Sequence, residues 1–176
     1  MKLRAESVEE ESGQSDCVEF IPPQACQGIA ATDTFVVGVD SNVPKIVSAQ
    51  TTAEAATVYI PILSPFGRDE TSRGFKLSSV KVHYDLDVAG TAATLKLYKI
   101  TRNADGTIAS AAEVTSTCDH TEAQLYSADE HVATLTVTTP AFLAENEALS
   151  VELAITKATT TDFSFYGAWA YFTRAL

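Results

Sequence analysis

Apolar and polar positions alternate most cleanly in the last third of the chain, from Val132 to Phe172. Beginning at His131, residues His131, Ala133, Leu135 and Val137 fall on one side, and Val132, Thr134, Thr136 and Thr138 on the other. Successive side chains of a strand point to opposite faces, so this segment predicts a strand with one apolar and one Thr-rich face. Pro140 has no N–H to give a ladder and ends the strand near Thr139. After Phe142-Leu143 and a polar link, Leu149, Val151, Leu153 and Ile155 alternate with Ser150, Glu152 and Ala154, the pattern of a half-buried strand. Lys157 to Thr161 is polar and predicts a turn. Strict alternation through the final run places Phe163, Phe165, Trp169 and Tyr171 on one face. It places Tyr166 and Phe172 on the other, beside Ala168 and Ala170. A strand apolar on both sides is central in a sheet, or has one face in the core and the other against a neighbouring subunit; core packing is the expectation.

Upstream, Phe75 to Leu86 predicts a strand with Val80, Val82, Tyr84 and Leu86 inward and Lys81, His83 and Asp85 outward. Ala92 to Ile100 is its partner, with Leu95 and Leu97 inward and Lys96 and Tyr98 opposite. Asn103-Ala104-Asp105-Gly106 marks a turn, since Asn and Gly tolerate positive φ. Strands are also predicted over Thr34–Val39 and, more briefly, Lys45–Ser48, and a stronger one over Thr57–Ile62, stopped by Pro61 and Pro65. Ala109 to Val114 fits a short strand or a helical turn equally well. The connection from Thr107 to Ala128 is the kind that crosses from one sheet to the other.

Seven or eight strands without a sustained 3.6-residue period predict an all-β fold, a two-sheet antiparallel β-sandwich of jelly-roll type. The sandwich is assigned to residues 31–176 and an extended acidic N-terminal arm to residues 1–30. In the arm, Lys2 and Arg4 stand against Glu6, Glu9, Glu10, Glu11, Asp16 and Glu19, and the segment ends at Pro22-Pro23. It has little to bury, so it is expected to order only when lying on something else.

A chain of 176 residues suits one domain with an appendage. A domain of this size buries roughly 70% of its unfolded surface and needs no disulfide or metal staple. The net charge of −11 argues against nucleic acid as a partner, because phosphate contacts need clustered cations. Residues 68–102 run the other way: Arg68, Arg73, Lys76, Lys81, Lys96, Lys99 and Arg102 oppose Asp69, Glu70, Asp85 and Asp87. No apolar run approaches the ~20 residues of a membrane span, so no membrane partner is expected, and no apolar region follows Lys2 and Arg4 to suggest a secretory leader. Three cysteines leave one odd. Cys17 and Cys26 pair on paper, but a reduced, intracellular history is the simpler reading.

The candidate chemistry is thin. Cys118-Asp119-His120 lacks the second ligand pair of a zinc site and reads as a loop. His83 and His131 are expected at the surface. No Gly-x-Ser-x-Gly elbow is present. Asp69, Glu70, Asp85 and Asp87 do not have the spacing of a calcium loop. No catalytic, cofactor-binding or metal-binding residue is therefore assigned, and no cofactor. The aromatics Tyr59, Phe66, Tyr84, Tyr98, Tyr126, Tyr166, Trp169 and Tyr171 fit a sugar-binding face as well as a core, with core and interface roles favoured.

Two blocks carry a family resemblance. One runs Gly74-Phe75-Lys76-Leu77-Ser78-Ser79-Val80-Lys81-Val82-His83-Tyr84, through Thr94-Leu95-Lys96-Leu97-Tyr98-Lys99, to Ala104-Asp105-Gly106. The other runs from Ala133 to Pro140, through Val151-Glu152-Leu153, to Phe163-Ser164-Phe165-Tyr166-Gly167-Ala168. Together they resemble the small virion structural proteins of tailed bacteriophages known as capsid decoration or cement proteins. The resemblance implies a non-enzymatic jelly-roll-like domain on a virion, made in the host cytoplasm. It implies the major capsid protein or another shell protein as partner, and a homo-oligomer with a trimer favoured. A carbohydrate- or receptor-binding module of a virion fibre or spike is the alternative, and it predicts an exposed aromatic platform.

Overall fold

The alternating segments pair as antiparallel strands that each bury one apolar face, but Phe75–Leu86 and Ala92–Ile100, expected to pair with each other, lie in opposite sheets and face each other across the core. The structure, a computed structural model, describes residues 17–30, 35–40, 43–48, 53–62, 75–140, 143 and 147–174. They form strands β1 (Cys17–Ile21), β2 (Gln27–Ala30), β3 (Phe35–Asp40), β4 (Val43–Ser48), β5 (Ala55–Ile62) and β6 (Phe75–Leu86). These are followed by β7 (Ala92–Arg102), β8 (Ile108–Glu113), β9 (Ser116–Cys118), a short helix α1 (Glu122–Leu125), β10 (Glu130–Val137), β11 (Glu147–Thr156) and β12 (Phe163–Arg174). One sheet has the order β3-β4-β12-β6-β10-β9, with β1 also paired to β12; the other has the order β2-β5-β11-β7-β8. Every pairing is antiparallel. The chain passes repeatedly from one sheet to the other, giving the expected two-sheet sandwich of jelly-roll type.

The core lies between the sheets. Val58 and Ile60 of β5, Leu95 and Leu97 of β7, and Val151, Leu153 and Ile155 of β11 face Val80, Val82, Tyr84 and Leu86 of β6 and Ala133 and Leu135 of β10. Each large aliphatic side chain buried this way contributes about 1.5–3 kcal/mol. Ala109–Glu113, ambiguous in sequence, belongs to the edge strand β8. The link that follows carries the chain across to β9 in the opposite sheet. Pro61 lies inside β5 rather than ending it. It pairs with Ser150 of β11, and β2 on the other side stops opposite Tyr59, so among the described residues Pro61 has a ladder neighbour on one side only, as an edge position for proline does.

Residues 17–30, grouped with the arm on composition, form β1 and β2, one in each sheet. Residues 1–16 and the charged loop from Ser64 to Gly74 lie outside the described residues.

Two polar side chains expected at the surface are inside. His131 is 5% exposed. Its ring stacks on Tyr84 at 4.9 Å, and its Nε2 lies 3.0 Å from the Ser127 carbonyl. The phenol of Tyr84 donates to the Leu125 carbonyl at 2.7 Å. Burial is the main cause that pushes this phenol's pKa well up, and Cys118 and Asp119 add to it. Lys157, read as part of a polar turn, is fully buried, and its Nζ donates to Ser48 Oγ at 2.8 Å.

The largest departure concerns β12. Phe163, Phe165, Ala168, Ala170 and Phe172 are the buried set, while Tyr166, Trp169 and Tyr171 stay partly exposed. The register against β6 explains why. Phe165 pairs with Tyr84 and Gly167 with His83, leaving Tyr166 as an extra residue in a β-bulge. One extra residue reverses the alternation downstream. Strict alternation, which had put Trp169 and Tyr171 with Phe163 and Phe165, fails at this point.

A candidate binding face on the seven-stranded sheet

The bulge depends on Gly167. Its φ is +121°, a conformation L side chains rarely adopt. A Cβ there would also sit 2.7 Å from the Ile21 carbonyl of β1. This close approach lets β1 pair along β12 from Ala168 to Phe172, beyond the end of β4, which pairs only with Phe163–Phe165. The pairing sets Phe20 beside Trp169 and Val18 beside Tyr171.

Four rings consequently run in sequence across the outer surface. Phe20 and Trp169 lie 5.2 Å apart between centroids, Trp169 and His83 6.1 Å apart, and His83 and Tyr166 4.8 Å apart. These are contact distances for aromatic pairs. Phe20 is 50% exposed; Trp169, Tyr166, Tyr171 and His83 are half-buried. Cations flank the row. Lys81 Nζ stands 5.2 Å from the Tyr171 ring centre, and Lys45 Nζ stands 5.9 Å from that of Tyr166, both within cation–π range.

At the Tyr166 end the surface dips into an open hollow of about 530 Å³, bordered by His83, Tyr166, Val43 and the carboxylates Asp85, Asp87, Asp129 and Glu130. Glu130 Oε1 lies 2.6 Å from His83 Nε2, which fixes the plane of the ring in the row. Asp87 accepts the Asp162 backbone N–H at 2.6 Å, tying the loop before β12 to the end of β6. The face therefore combines a row of mutually tilted rings with hydrogen-bonding groups of both signs along it and at its borders, the composition of a recognition site for a ligand with apolar and polar sides.

The other aromatic residues that fit a sugar-binding face scatter by comparison. Tyr84 is in the core, Tyr59 and Tyr98 lie on the outer face of the other sheet, and Tyr126 packs against the core edge. Phe66, Asp69 and Glu70 lie outside the described residues. Only Tyr166, Trp169 and Tyr171 converge. Phe20 and His83 were not among the candidates. Phe20 was counted with the arm, although the alternation Val18-Glu19-Phe20-Ile21 was visible. His83 was read as a polar surface residue, and only the bulge brings aromatic neighbours to it.

Cys118-Asp119-His120 is structural. Asp119 Oδ1 accepts the Thr134 N–H and a bond from His120 Nδ1, both at 2.7 Å. Burial works to raise this carboxyl's pKa, but those two bonds outweigh it and hold it below the usual carboxylate value. Among the described residues no group of three or more His, Cys, Asp or Glu side chains could hold a metal ion. The three cysteines are free, and burial pushes the Cys26 thiol up to about 12.

No family model and no curated protein matches the chain. Among solved structures, similarity is found to a family 29 carbohydrate-binding module from Piromyces equi, at 10% identity and a TM-score of 0.45, covering 89% of this chain and 91% of that one. A second family 29 carbohydrate-binding module gives 11% identity and a TM-score of 0.41, with 89% and 88% covered. The N-terminal xylanase 10B modules of Clostridium thermocellum, complexed with xylohexaose, give 12% identity and a TM-score of 0.43; the match covers 89% of this chain but 27% of that one. At these scores nothing about the surface of this chain follows from its neighbours.

Proposed function

We propose that the chain is a non-catalytic binding module that recognises carbohydrate on the outer face of the seven-stranded sheet. One observation carries the reading: the row Phe20–Trp169–His83–Tyr166, aligned across three strands and open to solvent. A pyranose has a flat C–H face and a rim of hydroxyls. Stacking the C–H face on such rings removes apolar surface from water on both sides. Lys81, Asp85 and Glu130 then stand where hydroxyls need donors and acceptors. Binding alone accounts for these groups. Glu130 orients His83 and Asp87 ties a loop, so neither is held ready for proton transfer.

A second reading has its own support. Val18, Val36, Val43 and Val132, each about half exposed, flank the rings on the same sheet. Exposed aliphatics beside aromatics suit a protein partner, as a decoration protein seated on a virion shell requires. The two readings separate in one experiment. The full chain and Trp169→Ala are tested on an oligosaccharide array and for co-sedimentation with purified phage heads. Carbohydrate recognition requires array binding by the native chain and its loss in the variant. Silence on the array with co-sedimentation that depends on Trp169 would favour the shell.

A further inference from the structure

The outer strands are β3 and β9 in one sheet, where β1 also pairs on one side only, and β2 and β8 in the other; β1 and β3 are partly buried. β9 spans three residues and β2 four, too short to template much pairing. β8 is different. All six of its residues, Ile108 to Glu113, are exposed, and it pairs only with β7. An uncovered edge is usually blunted by lysine, proline, a covering loop or a bulge. β8 contains neither lysine nor proline. Its bulge lies at the turn end, between Thr101 and Arg102 of β7, which leaves Ser110 to Glu113 in regular register. The side chains of Ala109, Ser110, Ala111 and Ala112 are too small to hold off another strand on either face.

The hydrogen-bond phase of this edge follows from one bond. Val114 N–H donates to the Leu97 carbonyl at 2.8 Å. Bonded and non-bonded pairs alternate along an antiparallel ladder. With the register Tyr98↔Glu113, Lys99↔Ala112, Ile100↔Ala111 and Thr101↔Ser110, Ala112 and Ser110 bond to β7. Ala111 and Glu113 turn their N–H and C=O to the open side.

We propose that β8 is a self-docking edge, pairing antiparallel with β8 of a second copy about a two-fold axis at Ala111. The pairing would exchange the Ala111 N–H and C=O between copies and set Ser110 against Ala112 on each side. Two five-stranded sheets would become one of ten strands. A second copy fits better than a foreign strand for two reasons. An isologous contact needs a segment that complements itself when reversed, and a run of small residues centred on an outward-bonding alanine does so. The chain carries a net charge of −11, yet the β7–β8 hairpin holds Lys96, Lys99 and Arg102 against Asp105 and Glu113. The acidic charge that would keep two copies apart is therefore not concentrated at this edge. Glu113 is already paired with Lys96 at 3.0 Å, so it brings no unpaired charge to the contact. The inference is independent of what the aromatic face binds.

Charge reversal across the axis provides the test. Ala111→Glu and Ala111→Lys each place like charges directly opposite one another, which should weaken the dimer about tenfold. An equimolar mixture of the two variants should regain it as a heterodimer, resolved by mass in native mass spectrometry. Ala111→Pro removes the N–H donated across the axis without touching a β7–β8 bond, and should give monomer in sedimentation velocity. Circular dichroism melts confirm that each variant is folded. A native chain that stays monomeric at all concentrations, or single variants that dimerise as tightly as the native chain, would overturn the proposal. So would folded variants whose mixture stays monomeric.

Discussion

The two outer faces of the sandwich are built from similar residues and arrange them differently. On the five-stranded sheet, β5, β11 and β7 keep strict alternation, and Tyr59, Glu152 and Lys96 lie in register across them. Lys96 continues to Glu113 at 3.0 Å. The Tyr59 phenol is pushed up first by burial, then by the Glu152 carboxylate beside it and the hydrogen bond between them. That face satisfies itself with cross-strand pairs. On the seven-stranded sheet the bulge at Tyr166-Gly167 turns Trp169 and Tyr171 to the outer face that Tyr166 already occupies, and β1 adds Phe20. Its rings contact one another but leave their outer surface open. The difference lies in the neighbours: Tyr59 meets a carboxylate directly across the strand, whereas Phe20, Trp169, His83 and Tyr166 meet one another, with Lys45, Lys81 and Glu130 alongside.

Breaking the bulge should have the largest effect. Gly167→Val forces a β-branched residue to positive φ and drives a Cβ into the Ile21 carbonyl. The expected cost is about 2–4 kcal/mol, lowering Tm by about 10 °C in a thermal melt and releasing β1 with Phe20. Next come the rings. Trp169→Ala or Tyr166→Ala should weaken binding of an array-identified oligosaccharide by about thirtyfold in calorimetry, or about 2 kcal/mol. Tyr59→Ala on the opposite face should leave it within about twofold. Smaller still, Lys96→Ala removes an exposed ion pair and should change stability by less than about 1 kcal/mol, with no effect on binding.

The smallest effect concerns Glu19, which sits between Val18 and Phe20 on β1. Its Oε2 is shut off from solvent with no hydrogen-bond partner among the described residues, and burial raises its pKa from 4.5. The folded chain thus holds this proton more tightly than the unfolded chain. The linked stabilisation is present below about pH 4.5 and is lost as pH rises through the raised native value. Glu19→Gln lacks that titration. It should melt slightly above the native chain at neutral pH, with the gap closing in acid; a gap that widened in acid would contradict the assignment.

Much of the fold was legible because period-2 alternation is a local signal. Val80, Val82, Tyr84 and Leu86, and Leu149, Val151, Leu153 and Ile155, face inward as their spacing dictates. The candidate face was not legible, because it depends on a register shift. Gly167 marks a place where a backbone neighbour approaches, but sequence alone does not tell a bulge from a plain strand glycine. β1 was obscured by the acidic composition before it, since Val18-Glu19-Phe20-Ile21 is too short to outweigh its neighbours. Lys157 and His131 were misplaced for a related reason. Residue type favours the surface, and only tertiary partners such as Ser48 and the Ser127 carbonyl hold them inside.

Trp169 is the single tryptophan of the chain and sits in the middle of the ring row, so its fluorescence reports directly on that face. Titrating the native protein with an oligosaccharide that calorimetry shows to bind should shift Trp169 emission, saturating at the calorimetric Kd. Binding with unchanged tryptophan emission, and with full affinity retained by Trp169→Ala, would place the ligand elsewhere and contradict the account.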